Sequence, residues 1–229
     1  MEVVPLTENI TTAPAIRLHD ALRASDASAR LQAALTAGTH PNDAYLPVLI
    51  DRCAVEPDFY VRDMLTWAIT RHRRALAVDL LLCELVSTIP QARSQALHSL
   101  SKIGDARAWS AITRELLRDD DDEVAKAAWR TAAGLVPEGE RSALAYELGR
   151  NLGRGDRDLR RSLSHAIAML GHTAEPVIEA GAASADDDIR VHALATAHVM
   201  ANPDDGFDAA VDEARRVVAR DAAPASGNG

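Results

Sequence analysis

Aromatic side chains are scarce in this 229-residue chain: two Phe, three Tyr and three Trp make up 3% of it, against 47% hydrophobic residues. A core of that composition must be built from Ala, Leu, Val and Ile, residues that let helices approach closely. Apolar–polar alternation bounded by turn residues is also missing, which argues against β-sheet. No apolar run approaches the roughly 20 residues of a membrane span. The N-terminus lacks the charged start and apolar stretch of an export signal, so the expectation is a cytoplasmic protein with no membrane partner. Positive charge is in deficit, with 25 Lys and Arg against 34 Asp and Glu and a net charge of −9. The field of the whole molecule therefore repels nucleic acid.

What the chain has in abundance is repetition. A helical phrase rich in small residues returns six times, anchored at Arg30, Arg62, Arg93, Ala125, Arg160 and Arg190, with intervals of 32, 31, 32, 35 and 30 residues. One position before the anchor stand Ala29, Val61, Ala92, Val124, Leu159 and Ile189. Three positions after it stand Ala33, Leu65, Ala96, Ala128, Leu163 and Ala193, and seven after it Ala37, Ile69, Leu100, Ala132, Ile167 and Ala197. Spacings of four place these on one stripe of a helix, and their small size predicts a first helix packed on both sides. After Gly104 and Asp105, a helix stop and an N-cap, the residues Ala108, Trp109, Ile112, Leu116 and Leu117 predict a second amphipathic helix. Each such hairpin is too small to bury its apolar side alone and is completed by its neighbours. Cys53 and Cys83 occupy similar places in successive second helices. Helix axes lie roughly 8–10 Å apart, whereas a disulfide needs Cα atoms about 5.5–6 Å apart, so both are read as reduced core thiols.

The stretch from Lys102 through Gly104 and Asp105 to Trp109, followed by Leu116 to Val124 with its run Asp119 to Asp122, and then Ala127 and Ala128, resembles the HEAT-like repeat of the phycobilin-lyase type. Copy four departs from the pattern by carrying Ala125 in place of Arg. The resemblance implies a right-handed α-solenoid whose second helices line a concave side, with partner binding as its usual role. The wording around Phe59 to Trp67 and Gln91 to His98 is similar to HEAT-like segments of actinobacterial proteins, some fused to MerR-type transcription regulators. No helix-turn-helix segment precedes the repeats here. The expected architecture is all-α: residues 1–14 a flexible lead-in, 15–220 a single domain of about six HEAT-like hairpins with an N-terminal capping helix from Ala15 to Ser25, and 221–229 a disordered tail. The glycine-bearing loop Asn151 to Asp156 is the expected hinge.

Chemistry-bearing motifs are few. No His-x-x-x-His or Cys-x-x-Cys pair suggests a metal, the run Asp119 to Asp122 lacks the alternating ligands of a calcium loop, and Gly153-Arg-Gly155 is no phosphate cradle. No cofactor is expected. No Ser or Cys carries a local nucleophile signature, and the anchor arginines are read as an inter-repeat ladder. One constellation stands out. The fifth position after the anchor, which the stripe leaves facing outward, reads Leu35, Trp67, His98, Arg130, His165 and Ala195. Asp63 and Arg71 flank Trp67 one turn away on the same face. Trp and Arg are residues that interfaces favour, and two histidines would add positive charge to the row near pH 6.

The expected function is a non-enzymatic binding module that holds a protein partner, or a small ligand in a groove, through Trp67, His98, Arg130, His165, Asp63 and Arg71. The alternative is an alkylpurine DNA glycosylase built from HEAT-like repeats, which the line Asp63, Trp67, Arg71 resembles. That reading needs the basic clusters Arg71 to Arg74 and Arg150 to Arg161 to converge on one surface.

Overall fold

The computed structural model describes residues 12–202 and 204–222, and among them every regular element is helical. The described residues begin with α1 (Ala13–Ala21) and continue as six hairpins. The first helices are α2 (Ala27–Thr39), α4 (Phe59–Thr70), α6 (Pro90–Ile103), α8 (Asp122–Leu135), α10 (Arg157–Ala168) and α12 (Asp187–Ala201). The second helices are α3 (Leu46–Cys53), α5 (Arg74–Glu84), α7 (Arg114–Leu117), α9 (Arg141–Gly149), α11 (Glu175–Ala182) and α13 (Phe207–Ala222). First helices pack side by side in chain order from α2 to α12, forming an α-solenoid.

The acidic runs of the sequence resolve into caps. Asp26, Asp58, Asp121, Asp156 and Asp186, each four residues before an anchor, accept backbone N–H groups at the start of their first helices. The side chain satisfies donors that the helix leaves unpaired, and its charge suits the positive end of the helix dipole. The one exception, α6, starts with Pro90 in its first turn, where a missing N–H costs nothing. It ends at Gly104, whose φ of 65° is the left-handed closure that favours glycine.

The small-residue stripe is buried as its spacing requires. Val61, Leu65 and Ile69 of α4, Ala96 and Leu100 of α6, Val124, Ala128 and Ala132 of α8, and Leu159, Leu163 and Ile167 of α10 join one continuous core. Each fully buried Leu or Ile contributes about 1.5–3 kcal/mol. Trp129, wholly buried on α8, adds the largest side chain and donates from its indole N–H to the Leu117 carbonyl at 2.7 Å.

Several expectations need correction. The capping helix starts two residues earlier than read, because Pro14 sits in the first turn of α1, where proline fits. The tail was read from Asp221, but α13 runs on to Ala222; expectations for residues 1–11 and 223–229 lie outside the described residues. The third hairpin's second arm is broken into a 3-10 turn (Ala106–Ala111) and the short α7, because Ile112 is extended and the Thr113 hydroxyl restarts the chain by accepting the Leu116 N–H. Cys53 is buried, and burial pushes its thiol up to about 12. Cys83, in contrast, is exposed on α5.

The loop Asn151 to Asp156 is pinned, contrary to its expected role as a hinge. The Gly153 N–H donates to His192 Nδ1 at 3.1 Å, the Gly153 carbonyl accepts from Arg160 at 2.6 Å, and Arg154 reaches back to Asp119. Nor does Ala195 face outward. It is fully buried in a second cluster with Phe207, Ala210, Val211 and Ala214 of α13, which covers this end of the first-helix row.

Candidate functional site

With the stripe turned inward, the outward residues of α4, α6, α8 and α10 form one surface. Trp67 is 38% exposed. One side of its ring lies against Gly38 of α2, where an added Cβ would fall inside the indole, and the Arg71 guanidinium carbon sits 6.0 Å from the ring centroid. Asp63 is exposed one turn before Trp67. Stacking and cation–π contact hold the indole in one orientation while leaving an edge open to solvent.

Beside Asp63 a groove of about 430 Å³ crosses four helices. Phe59 and Asp63 of α4, His98 of α6, Lys126 and Arg130 of α8 and Asp158 of α10 are among its walls. Lys126 is bound by Glu123 at 2.6 Å and Asp158 at 3.1 Å. Arg130 and Asp63 are both exposed and form no ion pair among the described residues. Burial, together with the positive charges of Lys102 and Arg130, pushes the His98 pKa down, with Asp63 opposing. The neutral ring is thereby favoured over the charged one.

Of the residues singled out in the sequence, Asp63, His98 and Arg130 share this groove, and Trp67 and Arg71 continue along α4 beyond it. His165 lies apart. It is exposed near the end of α10 and lines a different cavity. The sequence reading missed Phe59 and Tyr60, which are 65% and 72% exposed and meet edge-to-face at 5.6 Å. The signal was present: Phe59, Asp63, Trp67 and Arg71 are successive steps of four on one helix.

The anchors form the expected ladder. Arg30 donates to the carbonyls of Ala24 and Ser25, Arg62 to those of Glu56 and Pro57, Arg93 to that of Ser87, Arg160 to that of Gly153, and Arg190 to that of Ser184. Three anchors also reach the next repeat: Arg30 pairs bidentately with fully buried Glu56, Arg93 bidentately with Asp119, and Arg160 through one nitrogen with exposed Asp188. Burial alone would raise the Glu56 pKa. Hydrogen bonds from Arg30, the Asp58 N–H and Arg52 outweigh it and hold the carboxyl at about 2.

A family model described as HEAT repeats matches residues 46–134. The match runs from α3 through α8. Among solved structures, the chain is similar to an engineered protein, with 18% identity over 83% of this chain and 97% of that one and a TM-score of 0.45. It is similar to human deoxyhypusine hydroxylase in complex with glycerol, with 17% identity over 95% and 98% of the two chains and a TM-score of 0.44. It is also similar to the complex of CpcE and CpcF of phycocyanin lyase from Nostoc sp. PCC7120, with 21% identity over 93% and 85% and a TM-score of 0.39. No curated protein sequence matches it significantly.

Elsewhere in the HEAT-like stack, polar clusters are committed to structure. Ser164 Oγ lies 3.1 Å from His192 Nε2, a spacing that suits a nucleophile and base. Both residues are buried, however, and the other ring nitrogen accepts from the Gly153 N–H instead of donating to a carboxylate. The basic clusters are largely neutralised: Arg73 pairs with Asp43, Arg74 with Asp105, Arg154 with Asp122, Arg157 with Asp208 and Arg160 with Asp188. Among the described residues, no three His, Cys, Asp or Glu converge as a metal position. No helix there is long and apolar enough to cross a membrane.

Proposed function

We propose that this chain is a non-enzymatic binding module that holds a protein partner on the outward face of its first helices. The contact surface runs from Phe59, Asp63 and Trp67 of α4 and Arg71 at its C-terminal cap across His98 to Arg130. The observation that carries this reading is Trp67, clamped between Gly38 and Arg71 with an edge in solvent, next to a groove flanked by the free charges of Asp63 and Arg130. A preorganised aromatic loses little entropy on binding, and Trp and Arg are the side chains that most often dominate interface energy. Partner capture by the parent and by Trp67→Ala, Asp63→Arg and Arg130→Glu, each checked by thermal melt, tests this. Loss of the same captured protein in all three, at near-parental melting temperature for the two charge reversals, is the expected result. Unchanged capture would sink the proposal. Release of an alkylated base from duplex DNA, abolished by Asp63→Asn, would replace it with the glycosylase reading.

A further inference from the structure

In a helical-hairpin stack each second helix normally has a second helix on either side. Here α3 packs on α5, α7 on α9, and α9 on α11. The row stops at α11. The last second helix, α13, packs along α12, and its Asp208 pairs with Arg157 and Arg161 at the start of α10, so α13 leans on the first-helix row; no comparable packing joins it to α11. Among the described residues no element takes the next place beside α11. An apolar groove of about 820 Å³ lies there, bounded by the end of α10, by α11 and by the second half of α12.

The floor of the groove suits a helix. Ala168, Ala197 and Ala201 are small enough to admit a backbone, Ile178 supplies a fixed apolar base, and Met169 and Met200 are flexible side chains that repack around an incoming surface. Met169 is 49% exposed, unusual for a side chain of its kind in a stack that buries most of its large apolar residues. The groove's carboxylates are Glu175 and Glu179, one turn apart on α11, and His165 of α10 and His172 of the turn before α11 also line it. We propose that this groove is the seat of an amphipathic helix from a partner protein, its apolar stripe bordered by Lys or Arg that meet Glu175 and Glu179. The inserted helix takes the place that α13 leaves empty in the second-helix row, and recognition is of the helix-in-groove kind. This surface is separate from the one around Trp67 and does not depend on it.

The test uses the full chain and two labelled peptides of roughly 18 residues, long enough for several helical turns, one an amphipathic Leu–Lys sequence and the other its Leu–Glu counterpart. Fluorescence anisotropy should show the Leu–Lys peptide binding at least about tenfold more tightly. Ala201→Arg and the double substitution Glu175→Lys, Glu179→Lys should each weaken that binding about tenfold or more, while Trp67→Ala leaves it unchanged. All three altered positions are exposed, so melting temperatures should stay near the parent's. Equal binding of the two peptides, or Leu–Lys binding indifferent to these substitutions, would overturn the proposal. So would a concentration-dependent dimer abolished by Ala201→Arg, which would make a second copy of the chain the occupant.

Discussion

Arg154 donates to the carbonyl oxygen of Asp119 at 2.6 Å, and that carbonyl lies six residues before Ala125. In the hairpins of Arg30, Arg62, Arg93 and Arg190 the equivalent carbonyl is held by the anchor arginine itself. At the one anchor that lacks a guanidinium, a guanidinium therefore arrives from the following loop. Its carbon lies 6.0 Å from the Trp129 ring centroid, and it also pairs with Asp122.

Arg154→Ala should consequently behave like the loss of an anchor, leaving a partly buried carbonyl unpaired at a cost of about 1–3 kcal/mol. Arg157→Ala, which removes only an exposed pair with Asp208, should cost about 0–1 kcal/mol. Urea unfolding of the two variants compares them directly. Equal effects would show that Arg154 is only another surface charge.

Glu56 sets an acid limit on stability. Its folded pKa, about 2, lies below the ordinary carboxylate value. Its contribution is therefore fully present above the unfolded pKa near 4.5 and is lost as pH falls toward 2. Glu56→Gln should flatten the pH dependence of the unfolding midpoint in that window. At pH 7 it should also destabilise the fold by on the order of 3 kcal/mol, because Arg30 and Arg52 lose their shared partner.

His192 acts in a higher window. Burial pushes its pKa down to about 4, partly opposed by the hydrogen bond to the Arg160 carbonyl. As pH falls below the ordinary value of 6.5 the unfolded chain takes up a proton first, so stability drains between 6.5 and 4 and levels off below. Amide exchange at Gly153, whose N–H the neutral ring accepts, should speed up across that range. Exchange at Gly153 that ignores pH, once corrected for intrinsic rates, would refute the assignment.

Gly38 and Trp67 form a matched pair. An added Cβ at Gly38 would fall inside the indole ring and 2.9 Å from the Ala68 Cα. Gly38→Ala should therefore destabilise by about 1–3 kcal/mol through overpacking. Adding Trp67→Ala should recover part of that loss, leaving the backbone clash with Ala68. Strict additivity in the double-mutant cycle would show that the two residues do not press on one another.

The period was legible because Arg, Asp and Ala recur at fixed offsets, and each offset has one local job: ladder, cap or close packing. Where a tertiary partner decided the outcome, the repeat misled. Cys83 was read as core by equivalence with Cys53, yet the two second helices present these positions differently. Ala195 sits at an outward offset but is buried because α13 crosses over it. Arg154 could not be assigned to the gap at Ala125, since it stands 29 positions further on in a loop with no repeat of its own. Of the outward row, His98 and Arg130 line the groove together with Asp63, while Trp67 lies beyond it. His165 is parted from them, one step along the row, because Asp158 and Ser162 supply α10's share of that groove.

Glu56 and Asp119 also give the stack an uneven response to force. The Glu56 carboxylate holds Arg30 of hairpin one, while its carbonyl holds Arg62 of hairpin two and Gln91 of hairpin three. Asp119 binds Arg93 through its carboxylate and Arg154, just ahead of hairpin five, through its carbonyl. Pulled from its ends, the chain should lose hairpins one to five in coupled blocks, because each of these bonds spans neighbouring hairpins and the two sets overlap at hairpin three. At the other end α13 is joined by its apolar packing on α12 and by the exposed Asp208 pairs, with no buried carboxylate spanning hairpins as Glu56 does.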